Sequence, residues 1–230
     1  MSDSLSPDEV RTRYIEAMGE ELGALFYVLT TELTWAYWRW QQFLDLFGDK
    51  PSRIELANRA APFFFWVVQR TLWDDVLLTI AWLTGPEKSA GKPNLTLRRL
   101  PALIPGRELR EGIEADLTVI VAASAFAQER RNRSIAHRDL RLALGHAAEK
   151  LPEASRREID HVLDAIACLL NRLEAHYTRS ATAFRGFAGT RGATDLLSLL
   201  RDGLKFQDRR DERLQNGDYR SEDWEDDRPV

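Results

Sequence analysis

The chain has 230 residues, 44% hydrophobic, 30% charged and 10% aromatic, the make-up of a soluble globular protein of one domain or at most two. At this length a chain buries about 70% of its unfolded surface, so it needs no disulfide or metal to hold a core. The single cysteine, Cys168, excludes an intramolecular disulfide framework and any multi-cysteine zinc or iron–sulfur site. The net charge of −4 argues against a broad basic coat for nucleic acid, yet that charge is unevenly placed. Residues 207–230 carry nine acids against five arginines, and the rest of the chain balances at 27 against 27.

Residues 1–9 show no basic region ahead of an apolar run, so no secretory signal is expected and the expected location is the cytoplasm. Ser6-Pro7-Asp8-Glu9 predicts a helix start, with a hydroxyl cap, proline at the first position and acids suited to the helix dipole. Leu22, Leu25, Leu29, Leu33, Ala36, Trp40, Phe43 and Phe47 follow in steps of three and four, one stripe of a long amphipathic helix. Gly48-Asp49-Lys50-Pro51 ends it. A second helical stretch runs from about Ser52 to Thr84, with Pro62 kinking or dividing it. Gln69, Arg70, Asp74 and Asp75 within its most apolar part predict a buried helix, not a lipid span.

Gly85 to Asn94 reads as a loop, Leu95 to Ile104 as a short apolar helix, and Pro105-Gly106 as a break. A third long helix begins near Arg107 and carries Ile113, Leu117, Ile120, Val121, Ser124 and Ala127. A fourth spans Ser155 to Tyr177, and a last apolar piece covers Thr194 to Leu204. No strand pattern of useful length and no repeat is present. The expected fold is therefore all-α, an up-and-down bundle of long helices with a short helix inserted between the second and third. The helical domain is expected over residues 1–205, and residues 206–230 as a charged, disordered tail with a frayed helix at its start.

Phosphate loops, His-x-x-x-His, Cys-x-x-Cys and Gly-x-Ser-x-Gly are all missing from the sequence. One window stands out, because residues 130–141 hold five arginines, one histidine and a single acid, Asp139. Arg131 lies 18 residues after Ile113, five α-helical turns, and so projects on the apolar side. A guanidinium aimed inward must find an anion, a ligand or a subunit interface. In a continued helix His137 shares a face with Arg133, Arg130 and Phe126 instead. Arg131 and His137 converge only if the helix bends or ends in this window.

The string Arg131-Asn132-Arg133-Ser134-Ile135-Ala136-His137-Arg138-Asp139 resembles the R-x(4–6)-H motif of the HEPN superfamily, in the form of its abortive-infection AbiU-like branch. Phe64-Phe65-Trp66, Arg70, Trp73-Asp74-Asp75, Leu83-Thr84 and Asn94 to Leu100 are similar to that branch upstream, and the resemblance covers about residues 15–205. It implies an all-helical, metal-independent endoribonuclease of toxin or antiphage type that needs no cofactor. His137 is then the general acid/base, Arg131 the stabiliser of the scissile phosphate, and Asn132 the residue that orients one or the other. Arg130, Arg133 and Arg138 are expected to hold the RNA. Attack by the ribose 2′-OH leaves a 2′,3′-cyclic phosphate and needs both a base and an acid. One histidine per chain implies a homodimer that pairs two motifs, with an antitoxin or defence complex as a further partner.

Blander roles stand beside these. Arg131 and Asp139 can be structural ion pairs and His137 a satisfied core histidine, which leaves a non-catalytic module that binds RNA, a nucleotide or a partner, or a purely structural helical dimer. Arg70, Asp74 and Asp75 read as a salt-bridged helix face. Trp35, Tyr37, Trp38 and Trp40 read as core or dimer interface more readily than as a base-stacking platform. His146, His161 and His176 are scattered, with His161 and Asp164 a surface pair and no metal expected. Cys168, among Ile166, Leu169 and Leu170, reads as a buried inert thiol.

Overall fold

A computed structural model of the chain describes residues 5–135, 144, 154–186, 192–220 and 223. The fold is an all-α helical bundle carrying one two-strand hairpin. Its described helices are α1 (Pro7–Met18), α2 (Glu20–Phe47), α3 (Pro51–Ala60), α4 (Pro62–Thr84), the short α5 (Leu100–Leu103), α6 (Arg107–Ala123), α7 (Ala125–Arg130), α8 (Arg156–Thr178) and α9 (Ala193–Gln215). The hairpin strands are β1 (Lys88–Ser89) and β2 (Lys92–Pro93), and a 3₁₀ turn covers Leu97–Arg99. No helix among the described residues is long and apolar enough to cross a membrane. The chain divides into two compact units, one of Met1–Gln41 with Arg70–Ala188, the other of Gln42–Gln69 with Gly189–Val230.

In the first unit, α1 starts as the sequence predicts. Ser6 accepts from the Glu9 amide while Glu9 accepts from the Ser6 amide at 2.6 Å, a reciprocal capping box. The apolar stripe gave no sign that α1 ends at Gly19, whose φ of +88° turns the chain at no steric cost. Glycine also lets α2 approach α1 closely, since a methyl group on Gly23 would sit 2.6 Å from the Ile15 amide nitrogen. The core is built from Phe26, Leu29 and Leu33 of α2, Leu77 and Ile80 of α4, Ile113 and Ile120 of α6, and Ile159, Ile166 and Leu170 of α8, all fully buried. Trp40 is buried and donates from its indole nitrogen to Asp160 at 2.9 Å, whereas Trp35 and Trp38 are largely exposed and meet edge to face. Asp75 pairs with Arg39 of α2 at 2.7 Å, and Asp74 faces Arg70 at 3.7 Å.

Cys168 is exposed, which corrects the expectation of a buried thiol. The core stripe of α8 runs through Ile159, Val162, Leu163, Ile166, Leu169, Leu170 and Leu173. Position 168 falls between those phases, on the outer face with His161, Asp164 and Arg172.

In the second unit, α9 packs on α3, with Arg59 joined to Asp208 at 2.8 Å and Phe43, Phe47, Ala57, Phe65 and Leu197 buried. Gly192 offers no side-chain cap to α9, and Gln42 supplies one by accepting from the Ala193 amide at 2.8 Å. The helix expected over Thr194–Leu204 continues through Gln215, across the first charged residues of the tail.

Candidate functional site

The site begins where α4 ends. The last carbonyls of a helix lack intrahelical donors, and here residues remote in sequence fill them. The Thr96 hydroxyl lies 3.0 Å from the Leu83 carbonyl and 2.8 Å from that of Gly85, and the Arg98 guanidinium donates to Thr84 at 3.0 Å. Thr96 is fully buried and also caps the 3₁₀ turn. From the other side, the Gln128 amide of α7 donates to the Ala81 carbonyl at 2.6 Å and meets the Thr84 hydroxyl at 3.2 Å. The hairpin folds back on this end through Asn94, which donates to the Pro86 carbonyl at 2.8 Å and accepts from Ser89 at 3.0 Å.

Gln128 thereby fixes the start of the basic window. The helix entering it is not continuous. It is interrupted at the buried Ser124, whose hydroxyl donates to the Val121 carbonyl at 3.1 Å, and after α7 the five residues Arg131–Ile135 form a π-helical segment. The helix thus changes within the window, and the wider i→i+5 turn breaks the phase that an α-helix would impose. His137, Arg138 and Asp139 lie outside the described residues.

Arg131 lines a cavity of about 380 Å³ with Glu32 of α2, Thr79, Trp82 and Leu83 of α4, and Gly85, Pro86, Asn94 and Leu95. Leu83, Asn94 and Leu95 belong to the upstream segments that carried the family resemblance, so those segments meet the motif in space. Among the described residues the Arg131 side chain makes no hydrogen bond or ion pair, and neither does that of Glu32. Asn132 is exposed. Arg133 is held by Glu129 one turn back at 2.8 Å. Arg130 is half-buried near Asp74, whose carboxyl is pushed up by burial against the pull of Arg70 and Arg130.

Sequence reasoning missed Gln128, Glu32 and Trp82. The only signal for Gln128 was its place one turn ahead of the motif on the helix facing α4. Glu32 and Trp82 carried none, because their place on the cavity wall depends on which helices meet.

A family model described as AbiU2, of the HEPN type, matches residues 19–202, about four-fifths of the chain. No match was found among the curated proteins or the solved structures. The matched span runs from the start of α2 into α9 and contains the whole cavity with its arginine, and the chain belongs to the HEPN_AbiU2 family.

Proposed function

We propose that the protein is a metal-independent endoribonuclease of toxin or antiphage type that cleaves RNA at Arg131 and His137. The observation that carries this reading is a half-buried arginine on a cavity wall, its side chain without a partner among the described residues, at the arginine of the family's motif. An inward cation of this kind is costly without an anion, and a scissile phosphate supplies one.

The chemistry follows from that assignment. The ribose 2′-OH attacks phosphorus and its proton passes to one histidine. The P–O5′ bond breaks, and a second histidine protonates the departing O5′, leaving a 2′,3′-cyclic phosphate and a 5′-hydroxyl. Arg131 holds the two non-bridging oxygens in a bidentate grip as charge builds on them. Each chain brings one His137, so acid and base together require two protomers with their motifs facing one cleft. Asn132, exposed beside Arg131, orients the phosphate or the histidine. Arg130 and Arg138 hold neighbouring phosphates, and so does Arg133 if it leaves Glu129. The protein acts in the cytoplasm, held in check by an antitoxin or a larger defence complex, and residues 206–230 lie outside the catalytic domain.

Expression of the wild-type chain should arrest growth, and Arg131→Ala or His137→Ala should each relieve the arrest. Arrest that persists in both variants sinks this assignment. RNA binding that depends on phosphate but gives no turnover in the purified wild type would favour a non-catalytic binding module.

A further inference from the structure

The cavity beside Arg131 carries more than a phosphate ligand requires. A site built only for an anion has no use for Glu32, and a site for a cation has no use for Arg131. Both groups line the same space, and no ion pair joins them. Trp82 lines the same space and is 48% exposed although it belongs to the otherwise buried last turns of α4. A ligand that satisfies all three carries a phosphate, a flat ring and hydrogen-bond donors on that ring's edge. The volume, about 380 Å³, sits at the small end of the roughly 300–1,000 Å³ of small-molecule sites.

We propose that this cavity is a base-reading pocket for one nucleotide, with Trp82 stacking the base, Arg131 holding its 3′-phosphate, and Glu32 selecting guanine. The inference rests on the reading of Arg131 as the phosphate ligand. An ionised carboxylate only accepts, and its two oxygens match two adjacent donors. Guanine presents such a pair, N1–H and the N2 amino group, on its Watson–Crick edge. Cytosine and adenine each offer one amino group flanked by an acceptor, and uracil offers one N–H between two carbonyls. The neighbouring polar side chains do not compete with this assignment. Asn94 is committed to Pro86 and Ser89, and Thr79 donates to the Asp75 carbonyl at 3.0 Å. The base in the pocket would be the one 5′ of the cut, since its 3′-phosphate is the scissile one.

The test is calorimetric binding of the four nucleoside 3′-monophosphates to the full chain, beside cleavage of RNAs with each base 5′ of the cut. Guanosine 3′-monophosphate should bind wild type about ten-fold or more tighter than the others. Glu32→Gln should abolish that preference while the other three change less than about two-fold. Trp82→Ala should weaken all four about ten-fold, and Trp82→Phe should recover most of the loss. Equal binding of all four, a preference unchanged in Glu32→Gln, or no binding at all overturns the pocket assignment and leaves the nuclease reading standing. A guanine preference lost in Glu32→Gln, in a protein that cleaves no RNA, upholds the pocket and removes the nuclease.

Discussion

At the scale of single residues, Arg131 is a charge placed where a core position would be expected. In the proposed role it grips a phosphate through a planar fork of donors, which lysine lacks. Arg131→Lys should therefore fold as wild type yet lose about 10²-fold or more in kcat with a smaller change in KM, a split that steady-state kinetics measures. Asp74 poses the opposite case. Burial holds its carboxyl above the ordinary carboxylate range, so the stability it contributes is complete at acid pH and lost as pH rises through the raised value. At neutral pH its charge is a net cost. Asp74→Asn should leave Tm at pH 7 unchanged or higher, and a fall of more than about 2 °C in a melting scan would contradict that sign. Helical phase counted from Ile113 does not by itself place Arg131, because the helix between them is interrupted at Ser124. Within the unbroken α8, phase does put the exposed Cys168 outside the core stripe, a position that judging by sequence neighbours alone misread.

At the scale of elements, the capped starts of α1 and α8 and the proline breaks at Pro51 and Pro62 were written locally, and the helices begin where those residues dictate. The break at Gly19 was hidden because apolar spacing runs on through α2 regardless. The π segment was hidden because a 3.6-residue period was assumed, and nothing in Arg131–Ile135 alone departs from it. The cavity could not be read at all, since its walls come from position 32, positions 79–86, 94–95 and 131, brought together by packing. Two variants test the contacts that do this. Thr96→Val leaves the Leu83 and Gly85 carbonyls without their buried donor and should cost about 1–3 kcal/mol in urea unfolding, with Thr96→Ser costing less. Gly23→Ala forces a methyl against the backbone of α1 and should cost about 1–3 kcal/mol, and a neutral result would show that α1 does not pack as closely as described.

At the scale of the whole molecule, α2 is tied to α8 by a polar knot. Tyr37 donates to Asp164 at 2.7 Å, and Arg185 reaches both Asp160 and Asp164 at 2.9 Å while lying over the Tyr37 ring. Burial works to raise the Asp164 carboxyl, but the hydrogen bonds from Arg185 and Tyr37 outweigh it and hold the group below its ordinary value. A depressed carboxyl contributes stability above the ordinary range and loses it as pH falls through the depressed value. Arg185→Leu should therefore move the acid-unfolding midpoint to higher pH, whereas an unmoved midpoint would show the knot to be thermodynamically idle. Assembly is the other property of this scale. If each active site takes a histidine from both protomers, mixing His137→Ala chain with wild type at constant total protein should lower activity as the square of the wild-type fraction. A linear fall would mean that each chain acts alone. The most direct measurement is cleavage of an RNA in EDTA by wild type and by His137→Ala, on substrates with and without a 2′-deoxy nucleotide 5′ of the cut. The account predicts a 2′,3′-cyclic phosphate from wild type alone and no product from the 2′-deoxy substrate. Cleavage that requires magnesium, or that survives the loss of His137 or of the 2′-hydroxyl, would contradict it.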